Sequence, residues 1–161
     1  IVVAPHELTT AHLQAVEAGF PKPLVLWSEL ESSQASGLPH GIRTALVDRM
    51  GLLARLYRYG DIAYVGGGFG DGIHSLLEAA AWGKPVIFGS RHTKFAEAKG
   101  LINAGGGFEV RNAEELRAVL EKLLTDPAEL AKASEAAGGY VRERGGATER
   151  IVSAIWGHLR G

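Results

Sequence analysis

The stretch GGGFGDGIHSLLEAAAWG, residues 66–83, joins a glycine cluster to a segment of helical pattern. At about 100° per residue, Ile73, Leu76, Leu77, Ala80 and Ala81 share one side at the i, i+3, i+4, i+7, i+8 spacing of a buried stripe. His74, Ser75, Glu78 and Trp82 share the other side, so a hydroxyl, an imidazole and a carboxylate follow directly on the glycines. A carboxylate placed there can accept hydrogen bonds from both hydroxyls of a ribose, which an ammonium cannot do. Glu78 also suits a solvated position in contact with His74, four residues earlier. Asp71 is the expected N-cap, which turns unpaired N–H groups and the positive end of the helix dipole toward Gly67, Gly68 and Phe69. The cluster therefore reads either as an anion site or as a tight turn between strand and helix. It is not a P-loop, because no Gly-Lys-Ser/Thr follows, and it does not keep the G-x-G-x-x-G register.

Three other stretches carry groups of chemical interest. Pro5-His6-Glu7 follows an apolar run, and His6 reads as a donor at a strand mouth or as a satisfied structural histidine. HELTTAH, residues 6–12, has a superficial likeness to a zinc-protease helix, but ligands six apart are rotated by about 240° and cannot share a helix face. Asp48-Arg49-Met50-Gly51-Leu52 and Ser90-Arg91-His92-Thr93-Lys94 each follow a further apolar run, with Arg91 and Lys94 suited to balancing substrate charge or to a solvated surface. No nucleophile with a general base stands out: the chain has no cysteine, and no serine occupies a nucleophile elbow.

Something must bring these loops together. Apolar runs at residues 1–4, 24–27, 44–47, 62–66, 85–89 and 107–110 read as buried strands. Helix-like segments alternate with them, most closed by glycine. Strict alternation predicts crossover units and a Rossmann-like α/β fold, a parallel six-stranded sheet flanked by helices. In such sheets ligands bind outside the carboxyl ends of the strands, which is where the loops above fall. Beyond residue 110 the pattern is helical, with an Asn112 cap, a start at Pro127 and a last amphipathic stretch over 147–160. Residues 28–41 are expected to form an exposed loop.

The 161 residues suit a single domain, 1–161. With 46% hydrophobic and 22% charged residues the composition is that of an ordered globular chain, and its net charge of −1 gives no broad footprint for nucleic acid or an anionic membrane. No apolar run approaches a membrane span, and no signal peptide is visible. The chain opens inside a strand-like run and its one methionine is Met50, so it is expected to be a fragment of a longer protein.

VDRMGLLARLYRYGDIAYVGGGFGDGIHSLLEAAAWGKPVIFG (47–89), with Lys94-Phe95 and EAKGLINAGGGFEV (97–110), resembles the carboxyl-terminal domain of 3-deoxy-D-manno-octulosonic acid (Kdo) transferases. These are GT-B glycosyltransferases that add Kdo to lipid A precursors in lipopolysaccharide biosynthesis of Gram-negative bacteria. The resemblance covers nearly the whole chain. Its motifs are specific in combination: Val-Asp-x-x-Gly at 47–51 with Arg49, Tyr-Val-Gly-Gly-Gly-Phe at 64–69, and His-x-x-Leu-Glu-Ala at 74–79.

The resemblance implies a donor-binding half for CMP-Kdo. By position, Pro5 and His6 approach the nucleotide phosphate, and Met50, Gly51 and Leu52 line the cytosine. Ser75, Leu76, Leu77 and Glu78 cap ribose and phosphate, with Glu78 on the ribose hydroxyls. Glu7, Arg49, Gly67, Gly68, Phe69, His74 and Lys94 are neighbouring candidates. The implied reaction is a metal-independent, inverting transfer to a glucosamine hydroxyl, with the base in a missing amino-terminal domain, so the piece alone is expected to bind CMP weakly and to be inactive. The parent is expected to be cytoplasmic, peripheral to or anchored at the inner membrane. Two positions depart from the family pattern: many members have Pro-Arg-His where Pro5-His6-Glu7 stands, and Asn where Ser75 stands. The first replaces a permanent cation by a titratable imidazole. The alternatives are a GT-B domain using a UDP-sugar and a non-enzymatic Rossmann-like module. Trp156 and its apolar neighbours are expected to be exposed and to promote self-association.

Overall fold

Each of the six apolar runs forms a strand: β1 (Val2–Val3), β2 (Leu24–Leu26), β3 (Thr44–Leu46), β4 (Ala63–Val65), β5 (Val86–Gly89) and β6 (Gly107–Val110). The computed structural model describes residues 1–32, 40–70, 74–146, 151–152 and 155–156. The chain divides into two compact units, Ile1–Leu56 and Tyr57–Gly161.

In the first unit the strand order is β1-β3-β2, all parallel, with Val3 beside Leu46 and Leu26 beside Leu46 across the two ladders. The central strand is the core: Thr44, Ala45 and Leu46 are fully buried, and the Thr44 hydroxyl donates to the Pro21 carbonyl at 2.8 Å. Helix α1 (Thr10–Gly19) starts where the Thr9 hydroxyl accepts from the His12 N–H. Its Leu13, Val16 and Glu17 are half-buried at helical spacing. Residues 27–32, expected to end a strand and begin an exposed loop, instead form helix α2 (Trp27–Ser32). The Asp48 carboxylate receives its Ser28 N–H, a tertiary cap that local sequence does not reveal. Residues 33–39 of the expected loop lie outside the described residues. Helix α3 (Leu53–Leu56) closes the unit.

The second unit opens with a 3-10 turn at Tyr57–Tyr59 and builds a parallel sheet in the order β4-β5-β6. Helices α4 (Leu77–Ala81), α5 (Ala96–Ala104), α6 (Ala113–Thr125) and α7 (Pro127–Arg144) follow in chain order. Strand β5 is buried on both faces, as a central parallel strand must be. Val86 and Phe88 pack with Leu76, Ala80, Leu101 and Tyr140, while Ile87 packs with Val110, Leu123 and Ala133. Asn112 accepts from the Glu115 N–H to start α6, and Glu115 reaches back to the Arg111 N–H. Asp126 accepts from the N–H groups of Ala128 and Glu129 to start α7 at Pro127. Helices α4 and α5 both end in Schellman closures, at Gly83 with Lys84 and at Gly105 with Gly106.

The fold is α/β with parallel sheets flanked by helices, as expected, but two three-stranded sheets replace the single six-stranded one. The strands are short, two residues in β1 and three in β4, and both lie at the edge of their own sheet. Ladder hydrogen bonds need extended backbones side by side, and segments this short offer few. The segment expected to be one helix over 73–83 is also shorter: α4 begins at Leu77, after an αR residue with no side-chain cap. The expected Asp71 cap and Ile73 lie outside the described residues. Ile151, Val152, Ile155 and Trp156 are exposed, as anticipated for the last amphipathic stretch. Among the described residues no helix is long and apolar enough to cross a membrane.

Candidate functional site

The first unit gathers two of the loops singled out above. Because β1 and β3 are parallel neighbours, Pro5-His6-Glu7 and the stretch from Asp48 to Leu52 leave the same end of one sheet. Pro5 is half-buried, and His6 and Glu7 are exposed. Asp48 turns inward, accepting from the Ser28 N–H at 3.0 Å and the Ser28 hydroxyl at 2.5 Å. Burial pushes its carboxyl up, but the Ser28 hydrogen bonds and the Arg49 charge outweigh that and hold it below its usual value. Arg49 is engaged by Glu31, with Nη1 2.8 Å from Oε2, and Glu31 also accepts from the Trp27 indole at 3.2 Å. Met50 is 76% exposed, at the tip of a turn made by Gly51 at φ +82°. The Leu52 carbonyl accepts from Arg55 and Leu56 to start α3. Met50 and Gly51 are thus exposed at this strand end, as are His6 and Glu7.

The second unit holds the glycine loop. It leaves β4 at Gly66, and Gly70 N–H donates to Gly67 O at 2.9 Å. Gly68 is buried against Gly89: a Cβ on Gly68 would lie 2.5 Å from the Gly89 nitrogen. This glycine is needed for the close passage of two backbones. Arg91 closes the loop from β5, its N–H donating to Gly68 O at 2.9 Å and its guanidinium to Gly70 O at 3.0 Å. Phe69, between these two carbonyls, is half exposed.

Past the loop, His74, Ser75, Glu78 and Trp82 are all exposed, the face expected from the sequence. The buried stripe differs in part. Leu76 and Ala80 are fully buried together with Ala79, whereas Leu77 and Ala81 are exposed, because the helix begins later and turns its Leu76-Ala79-Ala80 side to the core. Leu76, implied by the resemblance to meet the ligand, is instead wholly buried, and its carbonyl accepts from the Ala80 N–H at 3.2 Å. Burial, and then the negative charge of Glu78, push the Tyr57 phenol up, which puts Glu78 near the 3-10 turn. On the same side Arg58 stacks over Tyr59 at 5.1 Å and over Trp82 at 5.8 Å. Lys94 is exposed on the loop after β5.

One constellation was not anticipated. His92 is 5% exposed, its Nε2 lies 2.6 Å from Glu109 Oε2, and its ring stands edge-on to Phe88 at 5.2 Å. Arg111 donates to the other Glu109 oxygen at 3.2 Å. The hydrogen bond with His92 holds the Glu109 carboxyl below its usual value against the opposing effect of burial. Only the strand register, with Phe88 beside Glu109, makes this pairing legible. Among the described residues no three His, Cys, Asp or Glu side chains gather at a spacing that could hold a metal ion.

No protein-family model matches the chain. A 3-deoxy-D-manno-octulosonic acid transferase of Aquifex aeolicus is 43% identical over 103 residues, 61% of this chain and 29% of that protein. The protein of the same name from Bordetella pertussis is 32% identical over 166 residues, 89% of this chain and 39% of that protein. The chain thus spans two fifths or less of the length of these relatives. A crystal structure described as the C-terminal CMP-Kdo binding domain of WaaA from Acinetobacter baumannii matches with a TM-score of 0.70 at 18% identity, over 86% of this chain and 72% of that one. At that identity the likeness concerns the fold. The chain is a sequence relative of the Kdo transferases and shares the fold of that carboxyl-terminal domain.

Proposed function

We propose that this chain is the donor-binding part of a Kdo transferase and takes CMP-Kdo. The observation that carries the reading is the exposed Glu78 carboxylate, one residue inside α4 and following the glycine loop, in a chain whose relatives are named Kdo transferases. Within the second unit, Glu78 accepts the ribose hydroxyls, and Ser75 and Leu77 meet the sugar-phosphate. In the transfer, an acceptor hydroxyl oxygen on a lipid A precursor bonds to the anomeric carbon of Kdo as the bond to the CMP phosphate breaks. CMP leaves with the electron pair, and the acceptor proton passes to a base outside this chain. The parent enzyme works at the cytoplasmic face of the inner membrane.

The test is a titration of the isotope-labelled chain with CMP, CDP and UMP, following amide shifts. CMP is expected to move signals of the second unit, at residues 66–70 and 74–78. Glu78→Ala is expected to weaken binding by about 1.5–3 kcal/mol, roughly ten- to 150-fold, the worth of a charged hydrogen bond. Preference for UMP would transfer the reading to a UDP-sugar enzyme. No response to any nucleotide, with Glu78→Ala indistinguishable from the parent, would reduce the loop to a structural turn.

A further inference from the structure

We propose that Arg91 is a positioning residue that sets the shape of the glycine loop, and that the buried His92–Glu109 pair fixes Arg91 in turn. A run of glycines has little side-chain packing to restrict it and loses much conformational freedom on ordering. Here one residue grips it twice: the Arg91 N–H holds Gly68 O at 2.9 Å and the guanidinium holds Gly70 O at 3.0 Å. In a trans peptide the C=O and N–H point in opposite directions. With Gly68 O held toward Arg91, the Phe69 N–H is turned away from it, and that N–H has no acceptor among the described residues. Arg91 thereby aims a backbone donor away from the sheet end before any ligand arrives, which is preorganisation.

Arg91 can do this only if its own backbone is fixed. The next residue supplies the anchor: the His92 side chain is buried, tied to Glu109 on the neighbouring strand at 2.6 Å and packed edge-on against Phe88. The His92 N–H and carbonyl are both engaged as well, with Ser90 O at 3.0 Å and Phe95 N–H at 2.9 Å. Its Nδ1 is buried with no hydrogen-bond partner, while the Glu109 carboxylate, an acceptor, requires a proton on the Nε2 that faces it. The chain of support runs from β6 through Glu109 and His92 to Arg91 and so to Gly68 and Gly70. The ligand-binding consequence rests on the donor-site reading above; the loop-ordering consequence does not.

The experiment compares the parent chain with Arg91→Ala, Arg91→Lys and the remote control Arg117→Ala by backbone 15N relaxation, then titrates each with CMP. Arg91 is exposed, so its truncation leaves the core untouched. In Arg91→Ala, order parameters at Gly67–Gly70 are expected to fall from the rigid range near 0.85 to below about 0.6, and CMP affinity to drop about tenfold, one lost polar contact. Arg91→Lys, which can still reach Gly70 O, is expected to recover most of both, and Arg117→Ala to match the parent. Imidazole 15N shifts are expected to show a protonated Nε2 at His92. Unchanged order parameters in Arg91→Ala, failure of lysine to rescue, or the opposite tautomer would overturn the inference. If the parent itself ignores CMP, the donor-site reading falls while the relaxation data still decide the role of Arg91.

Discussion

Adding a single methyl group at Gly68 tests which glycines of the cluster are there for packing. A Cβ at Gly68 would sit 2.5 Å from the nitrogen and 2.6 Å from the Cα of Gly89, and a Cβ at Gly89 would sit 2.6 Å from the Gly68 carbonyl carbon. Ordinary contact lies near 3.4–4 Å, so the loop and the end of β5 must part by about 1 Å, and neither side has a flexible side chain that could yield. Forcing a methyl into a packed site costs about 1–3 kcal/mol, and a clash of backbone with backbone belongs at the upper end. Gly67 differs: it sits at φ +87°, so alanine there meets a left-handed conformation costing about 1–2 kcal/mol. Gly66 has nothing within 4 Å of its would-be Cβ and no positive φ, so alanine should be neutral or stabilise by about 0.4–1 kcal/mol through the unfolded chain. Urea unfolding followed by circular dichroism reads the series. With slopes of about 1–3 kcal/mol per molar, Gly68→Ala should move the midpoint down by roughly 1 M, and Gly66→Ala should not lower it. Adding Gly89→Ala to Gly68→Ala should cost less than Gly89→Ala alone, since both methyls pry open one gap. Equal midpoints for the Gly66 and Gly68 variants would refute the close-approach account.

Three further outcomes are expected. Asp126→Ala removes the acceptor for the N–H groups of Ala128 and Glu129 at the start of α7 and should cost about 1 kcal/mol in the same urea assay. Glu109 has its carboxyl lowered in the folded chain, so its stabilisation is complete above the ordinary glutamate value of 4.5 and is lost as pH falls through the folded value. The midpoint difference between the parent and Glu109→Gln should therefore be largest near neutral pH and shrink on acidification; a difference constant down to about pH 3 would contradict the pairing. Ile151 with Ile155, and Val152 with Trp156, repeat at helical spacing with all four exposed. Sedimentation should accordingly show association rising with concentration, relieved by Ile155→Ser.

The strands were the most legible part of the chain, because a parallel strand must be apolar at nearly every position and these six runs are. Helices α6 and α7 were equally readable, since Asn112, Asp126 and Pro127 mark their starts with side chains that act locally. Where a helix start depends on a partner distant in sequence, local pattern does not show it: α2 is capped by Asp48, 20 residues away, and its residues have the composition of a loop. The helix after the glycine cluster was misjudged for a related reason. Periodicity locates a face but not the residue at which helical hydrogen bonding begins, and the buried stripe therefore settled on Leu76, Ala79 and Ala80 instead of including Leu77 and Ala81.

The same distinction governs the candidate site. Residue type and helical projection were enough to put His74, Ser75, Glu78 and Trp82 on one exposed face. They could not say what each glycine does. Gly68 is accounted for by the backbone of Gly89 and Gly67 by its dihedral angle, so the cluster holds two different solutions to two local problems. A glycine-rich loop is usually read by asking what its amides could hold. Here its carbonyls carry the information, because a carbonyl fixed from behind decides which amide is left to face a ligand. On the proposed donor-site reading, recognition in this unit divides between a side chain on α4 that the sequence displays openly, Glu78, and a backbone donor at Phe69 whose direction is set by Arg91, a residue that reads as ordinary surface charge until the loop it grips is in view.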